Sequence, residues 1–340
     1  MTANSRANQH RRHRPHDPAR TRTCAISIDL DGIACYYRIH GLGPPPVELE
    51  HAILERALPR AAKLFAARGI RVTWFVVGRD ADGELAVPDR AARAANAQRL
   101  RALADRGDEL GNHSYSHPYE LARMSPAEVD AELDGCDRVL RRIAGAPTRG
   151  FRAPGYDLSL PMLDHLARRG YRYDSSLFPA PGYYVAKAAV MAVLALARRP
   201  SGAVMTNPRA LTAPPSPYRP AMTAPWRRGQ APVVELPIAV TPGLRIPAIG
   251  TSLLVAPPLL RRQLARAMAR RSFWNFELHG IDFADAERDG IPGELVARQP
   301  DLRIPIRDKL SRLEHLLDQL AADWTFAPLA DVAAEVQRSE

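Results

Sequence analysis

Short apolar segments alternate with helix-like segments along most of this chain, and this order restricts the folds that it can adopt. Chains with this alternation bury a parallel sheet beneath helices. Strands are predicted at 24–29, 71–77, 109–112, 233–238, 273–278 and 324–327, where apolar, β-branched or aromatic residues cluster. Helices are predicted at 47–68, 91–106, 126–144, 160–169 and 185–197. The sequence therefore predicts an α/β fold whose sheet is closed, or nearly closed, into a barrel.

Acidic and histidine side chains follow several of these predicted strands. Asp29 and Asp31 come at the end of the first, and His113 and His117 come after the third. In parallel barrels the chemistry gathers at the carboxyl ends of the strands, so we expect these side chains to meet. One carboxylate and two imidazoles can hold a divalent metal and leave positions open for water and substrate. The pattern predicts a metal site at Asp31, His113 and His117, with Asp29 beside it to accept a proton in a hydrolytic reaction.

Two further positions carry candidate catalytic groups. Arg152 lies in an irregular loop rich in glycine and proline, where it could orient a catalytic carboxylate and hold it ionised. His279 ends an apolar strand and could protonate a leaving amine, with Asp282 or Asp174 close to its imidazole. Taken alone, Arg152 is interpreted as a surface arginine and His279 as a structural histidine. Because the chain also carries the other motifs, we favour the interpretation that Arg152 and His279 belong to the same site as these motifs.

Charge and cysteine content suggest a location. The formal net charge of +10 points to polyanions or to an anionic membrane surface, although a basic tail with scattered surface arginines would explain it equally well. Residues 1–23 are polar, rich in arginine and histidine and without an apolar core, so we predict a disordered basic tail rather than a secretory signal. Cys24, Cys35 and Cys136 match neither a disulfide framework nor a zinc motif. We expect reduced thiols and a cytoplasmic protein.

The segment 179–232 does not fit a plain barrel. It contains Tyr183 and Tyr184, an apolar stretch at 185–197 and then an arginine pair and a proline-rich run. The apolar stretch is too short to span a bilayer. Two interpretations stay open: an anchor that lies at a membrane interface, or a helix buried against the barrel.

Taken in order, these motifs resemble those of the polysaccharide deacetylase family, also called carbohydrate esterase family 4 or the NodB homology domain. The matching segments are 27–32 (SIDLDG), 73–78 (TWFVVG), 113–117 (HSYSH), 151–154 (FRAP), 171–176 (YRYDSS) and the pair 278–279 (LH). The resemblance implies a distorted (β/α)7-type barrel, the NodB homology fold. It would form a single catalytic domain over 24–335, with 179–232 as a helical and proline-rich insert.

The resemblance also implies a role for each matched residue. Asp29 corresponds to the general base, His279 to the general acid and Arg152 to the arginine that orients the base. The metal ligands would be Asp31, His113 and His117, and the oxyanion and substrate contacts Gly155, Tyr156 and Asp282. The chain departs from many members in having Asp-Leu-Asp instead of adjacent aspartates, and Arg-Ala-Pro-Gly-Tyr instead of Arg-Pro-Pro-Tyr.

The implied activity is metal-dependent removal of an N-acyl group, in the first place acetyl, from an amino sugar. Zinc is the expected metal, with cobalt or another divalent ion as the alternative. The basic charge and the apolar insert favour a glycan or a lipid-linked glycan precursor as substrate, with peripheral contact at the inner face of the membrane. The alternatives are an allantoinase-like hydrolase of a small cyclic amide, a deformylase of a lipid-linked amino sugar, and a carbohydrate-binding relic without activity. Nucleic acid is not an expected partner, because the tail lacks a pattern of stacking aromatic residues.

Overall fold

The strands predicted from the sequence are all present, with shorter strands between them. The computed structural model describes residues 22–198 and 201–339. Within these residues the strands are β1 (Arg22–Asp29), β2 (Thr73–Val76), β3 (Glu109–Asn112), β4 (Gly150–Phe151), β5 (Tyr173–Asp174), β6 (Pro220–Ala221), β7 (Ala224–Arg228), β8 (Val234–Glu235), β9 (Phe273–His279) and β10 (Trp324–Phe326).

Helices lie between most of these strands. They are α1 (Ile33–Ile39), α2 (Leu58–Ala66), α3 (Arg90–Asp105), α4 (Pro126–Ala144), α5 (Leu160–Arg168), α6 (Pro181–Leu196), α7 (Gly250–Val255), α8 (Pro258–Met268), α9 (Gly293–Val296), α10 (Ile306–Leu320) and α11 (Leu329–Ser339). Short 3₁₀ turns include Pro154–Tyr156 and Gly280–Phe283.

The main sheet is parallel and curled. In the described part of the chain, seven of its strands follow the order β9-β1-β2-β3-β4-β5-β8, and β10 pairs with the first residues of β1. The two ends of this order approach each other after β8, where the backbone N–H of Ala239 donates to the carbonyl of Asn275 over 3.3 Å. The predicted distorted (β/α)7-type barrel is therefore confirmed.

The register of the sheet places polar residues of different strands at one rim. Asp29, the last residue of β1, pairs with His279 at the end of β9 and with Phe75 of β2. Asn112, at the end of β3, pairs with Phe151 of β4. All these pairs are parallel, so the loops that follow the strands leave from the same edge. This edge carries the candidate site.

The helix predicted at 47–68 is interrupted. A 3₁₀ turn at Val47–Leu49 and a π-helical turn at Ile53–Ala57 precede α2, which has Pro59 in its first turn. Proline lacks the backbone N–H that a continuous helix would need at this point. The helix at 126–144 agrees with its prediction, because Ser125 and Glu128 form a capping box at its start.

Two residues of the predicted basic tail belong to the main sheet. Residues 1–21 lie outside the described residues, whereas Arg22 and Thr23 belong to β1, so the disorder predicted for these two residues is wrong. At the other end, α11 continues past residue 335 to Ser339. The three cysteines are buried and free.

The segment at 179–232 has two different parts. The hairpin β6–β7 packs on α5, and Tyr218 and Trp226 join the same buried cluster as Leu166. Helix α6 buries Tyr184, whereas Val185, Val190, Val193 and Leu196 are 51–86% exposed. The interpretation of this helix as one buried against the barrel is therefore wrong. In the part of the chain that the structure describes, no helix has the length and apolar character that a membrane span requires.

Candidate functional site

The loop after β3 brings two imidazoles to one point. Asn112 Oδ1 accepts a hydrogen bond from the backbone N–H of Ser114 over 2.7 Å, and Ser114 Oγ accepts one from the N–H of His117 over 3.0 Å. Ser114 and His117 adopt positive φ angles of 64° and 59°. This tight turn sets the rings of His113 and His117 with their centroids 4.9 Å apart.

Asp31 faces both imidazoles from the loop after β1. Its Oδ1 lies 3.1 Å from His113 Nε2 and 3.2 Å from His117 Nε2. His113 Nδ1 lies 2.7 Å from the carbonyl oxygen of Arg152, which can only accept, so Nδ1 carries the hydrogen and the neutral ring presents a lone pair at Nε2. Nε2 and the carboxylate oxygen can be bridged by a second ring proton, since Asp29 and Asp31 outweigh burial and raise the pKa of His113, or by a metal ion. The three side chains thus form a candidate metal site.

The environment of His117 supports the same conclusion. Its Nε2 is buried, and no described group hydrogen-bonds to it in good geometry. Its backbone carbonyl accepts from Arg38 Nη2 over 2.7 Å, which fixes the loop. Burial lowers the pKa of His117 and so favours the neutral form that binds metals. Burial alone would raise the pKa of Asp31, but His117 and His113 outweigh it and hold that pKa well below its usual range.

Asp29 lies next to this cluster and is held by Arg152. Arg152 Nη1 donates to Asp29 Oδ1 over 2.6 Å, while Asp29 Oδ2 lies 3.9 Å from His113 Nε2. The guanidinium is fully buried and also donates to Ser27 Oγ and to the backbone carbonyl and hydroxyl oxygens of Ser175. Arg152 therefore fixes one carboxylate oxygen and leaves the other facing the ligand cluster. Ser27 and Ser175 were not among the predicted site residues.

His279 stands on the other side of Asp29, with both ring nitrogens occupied. Nδ1 lies 3.0 Å from Glu277 Oε1, and Nε2 lies 3.0 Å from the hydroxyl of Tyr156. The same hydroxyl donates to Glu277 Oε1 over 2.8 Å. Burial opposes a charged imidazole, but Glu277 and then Asp29 outweigh it and raise the pKa of His279 to about 9. His279 is therefore protonated at neutral pH.

Of the two carboxylates predicted to raise the pKa of His279, Asp282 contributes to the shift after Glu277, Asp29 and Asp31, whereas Asp174 lies elsewhere. Asp282 Oδ2 accepts from the backbone N–H of His279 over 2.9 Å and so holds the main chain. Asp174 accepts from the hydroxyl of Ser176, and no hydrogen bond or ion pair in the described residues joins it to His279, so its prediction is wrong. The carboxylate in contact with the imidazole of His279, and the one that raises its pKa most, is Glu277. Glu277 and His279 are two residues apart on one strand and share a face, and this spacing is a signal that could have revealed the pair.

Gly155 and Tyr156 form the turn that follows Arg152. Both have positive φ, 71° and 65°. A Cβ at Gly155 would also lie 3.1 Å from Cδ1 of Tyr119, so both backbone and space favour glycine here. Gly155 lines the cavity and the Tyr156 hydroxyl contacts His279, so substrate contacts by these two residues stay a prediction.

One cavity of about 390 Å³ joins these groups. Asp29, Asp31, His113 and His279 line its polar end. Its other walls include the aromatic rings of Tyr36, Tyr119 and Tyr183 and the α6 side chains Ala186, Lys187, Val190 and Met191. The cavity thus runs from the candidate metal site to the exposed helix.

The Glu277–His279 contact gives a first prediction. In Glu277→Gln the negative charge is lost, so the His279 pKa should fall below the value of about 9 expected for the unchanged protein. Histidine NMR signals followed across pH would measure both values. Glu109→Gln, at a half-buried carboxylate that contacts Tyr173 instead, should leave the His279 titration unchanged. An unchanged His279 pKa in Glu277→Gln would contradict the assignment of Glu277.

Part of this chain is similar to known proteins. The family model for polysaccharide deacetylase matches residues 49–173. A peptidoglycan deacetylase of Helicobacter pylori is 26% identical over 155 residues, which are 45% of this chain and 48% of that protein. The peptidoglycan deacetylase-like protein FGM2 of Gibberella zeae is 28% identical over 120 residues, which are 35% of this chain and 32% of that protein. The match thus spans about half or less of the length of these curated relatives.

A solved structure extends the likeness to the whole fold. A Mycobacterium smegmatis protein assigned to the polysaccharide deacetylases aligns with a TM-score of 0.56. The two chains are 17% identical, and the alignment covers 94% of this chain and 91% of the other. At this identity the likeness concerns the fold alone.

Proposed function

Since the comparisons confirm the resemblance to the polysaccharide deacetylase family, we propose that this protein is a metal-dependent hydrolase that removes an N-acetyl group from an amino sugar of a glycan. One observation carries the proposal. Asp29 lies between the ligand cluster of Asp31, His113 and His117 on one side and His279 on the other, and one cavity is lined by all of these groups except His117.

Each residue of the candidate site has a separate role in the proposed reaction. A divalent metal held by Asp31, His113 and His117, zinc in the first place, would polarise the acyl oxygen and make water a stronger acid. Asp29 accepts the proton of the attacking water through the oxygen that Arg152 leaves free. His279, charged at neutral pH, gives a proton to the leaving nitrogen. For this step the hydrogen bond between Nε2 and Tyr156 must be exchanged for one to the substrate.

The shape of the cavity bears on the substrate. Its volume of about 390 Å³ suits a sugar with a substituent better than a small cyclic amide, which argues against an allantoinase-like activity. The apolar side chains of α6 on its wall suit a sugar that carries an apolar chain. We therefore favour a lipid-linked amino sugar over a finished polymer. An N-formyl group in place of acetyl would use the same residues.

The direct test is acyl release by purified protein loaded with zinc or cobalt. The substrates are N-acetylglucosamine oligomers, peptidoglycan, an alkyl-linked N-acetylglucosamine and its N-formyl analogue, with allantoin as the rival. We expect acetate from the N-acetyl sugars and none from the metal-free protein. Hydrolysis of allantoin without acetate release from any sugar would refute the proposal.

We also propose that α6 lies at the surface of a membrane, on the cytoplasmic side. Val185, Val193 and Leu196 are more than 60% exposed, and the cationic Arg198 follows the helix, a combination that suits an anionic bilayer surface. The free, buried cysteines suit a reducing compartment. In this position the open cavity beside α6 would face lipid-linked substrates.

The membrane proposal predicts the effect of charge on this helix. In Val193→Asp/Leu196→Asp, binding to vesicles that contain anionic lipid should weaken by about tenfold or more, because each buried valine or leucine contributes about 1.5–3 kcal/mol. Cosedimentation with vesicles measures this. Val47→Asp is the matched control, since Val47 is 80% exposed on a different element. Equal binding by all three proteins would contradict the proposal.

A further inference from the structure

Lys187 lies on the wall of the cavity that holds the candidate site, and it has no role in the proposed reaction. It projects from α6 into the same cavity that Asp29, Asp31 and His279 line. The ring of Tyr184 is near its ammonium group, with Nζ 5.9 Å from the ring centroid. Among the described residues, Nζ makes no hydrogen bond or ion pair. The charge of Asp157 acts to raise the pKa of Lys187, but the Asp157 carboxylate accepts its hydrogen bond from Thr206 Oγ1, over 2.7 Å.

The other charges of the cavity wall have partners. Asp29 is paired with Arg152, Asp31 with the two imidazoles, and His279 with Glu277. Partial burial lowers the pKa of Lys187 to about 8, so it is still mostly protonated at pH 7. A half-buried ammonium without a counter-charge is unfavourable unless a ligand supplies one. The Lys187 ammonium group can therefore bind an anionic group of the substrate.

The order of side chains along α6 gives the position of that group. Tyr183, Lys187 and Met191 are four residues apart, on one face of the helix, and all line the cavity. The ring of Tyr183 lies 6.2 Å from that of Tyr156, which contacts the candidate general acid His279. Four residues of helix rise about 6 Å, so Lys187 lies about one sugar ring beyond Tyr183, and the apolar Met191 lies a further turn away. Along the cavity, the acyl site at the catalytic end is thus followed by the cation of Lys187 and then by the apolar surface at Met191.

We propose that Lys187 binds the phosphate that joins the amino sugar of the substrate to its apolar chain. This inference rests on the proposed function and makes it more specific. The substrate class is a sugar phosphate or diphosphate ester of a long-chain alcohol: the acetamide lies at Asp29 and His279, the phosphate at Lys187, and the chain lies along α6 beyond Met191. Lys187 determines specificity and takes no part in bond breaking.

A pair of substrates that differ in charge tests the assignment. The first is the decyl phosphodiester of N-acetylglucosamine, and the second is its neutral decyl glycoside. With the metal-loaded wild type, we expect kcat/KM to be higher for the phosphodiester. In Lys187→Met it should fall about 10- to 100-fold for the phosphodiester, the range for loss of a hydrogen bond to a charged group, and change less than about twofold for the glycoside. The loss should appear mainly in KM.

Two further variants serve as controls. Lys187→Arg keeps the positive charge and should retain most of the preference for the phosphodiester. Lys63→Met removes an exposed lysine from α2 and should change neither substrate. An equal loss on both substrates in Lys187→Met, or no preference in the wild type, would overturn the assignment of Lys187. Acetate release from neither substrate would contradict the proposed function instead, and Lys187 would then be judged by binding of decyl phosphate, where equal affinity of wild type and Lys187→Met overturns it.

Discussion

Asp29→Asn should retain the bound metal and lose about 10²- to 10⁴-fold in kcat, the usual contribution of a general base. Asparagine has the size of aspartate and keeps an oxygen for Arg152, but it cannot accept the proton of water. The buried guanidinium keeps a second negative charge, Glu277, within electrostatic reach. The fold should therefore survive the change. Metal content by mass spectrometry and acetate release, measured on the same sample, separate the two effects.

The role of Arg152 sets the control for this experiment. Removing one member of a buried ion pair can cost about 3–5 kcal/mol, so the melting temperature of Asp29→Asn must be measured beside its rate. Asp285 lies in the segment after β9, and within the described residues its carboxylate accepts hydrogen bonds from backbone N–H groups. Asp285→Asn should keep both metal and rate. Wild-type kinetics in a folded Asp29→Asn variant would remove the assignment of Asp29 as base.

His113→Ala and Asp31→Ala should each empty the metal site and abolish acetate release. A zinc site with protein ligands binds with about 10–16 kcal/mol in total, so the loss of one ligand of three should weaken affinity by about 100-fold or more. In the unchanged protein, His113 and Asp31 face each other at 3.1 Å, a contact that the metal would stabilise. Zinc affinity measured by competition with a chelator gives the readout independently of activity.

Another histidine supplies the control for the metal experiment. His315 is exposed on α10 and contacts Gln319, so His315→Ala should keep full metal content and rate. Metal retained at wild-type affinity in His113→Ala or Asp31→Ala would show that the ion binds elsewhere. Two other clusters in the described residues, Asp29 with Glu277 and His279, and Glu50 with His51 and Asp89, would be the alternatives to examine.

Much of the site could be predicted because its residues follow strands. Asp29, Asp31, His113 and His279 stand where apolar runs end, and parallel pairing brings these ends to one rim. Glu277 was missed because it lies inside an apolar run, where a carboxylate has no local signal beyond its spacing to His279. Asp174 also ends a strand, β5, but its side chain is held by Ser176 beside Glu235, so position alone did not place it in the site.

The surroundings of α6 could not be derived from its sequence. Apolar residues occupy most positions around this helix, so its pattern does not show which side is covered or whether any side is. Only the packing of the rest of the chain decides this, and it leaves most of the helix uncovered. The interruption of the helix predicted at 47–68 had a local signal in Pro59, whereas the π-helical turn before it had none.

The pairing of Asp29 with His279 across β1 and β9 has an evolutionary consequence. The distance between Asp29 and His279, which we propose to remove and deliver protons, is fixed by the hydrogen-bond ladder of two long neighbouring strands. The stretch between β5 and β8, which carries α6, is attached to strands other than β1 and β9. Insertions, deletions or whole replacements there can change what the protein recognises while the reacting pair keeps its spacing, so new specificities can evolve without rebuilding the catalyst.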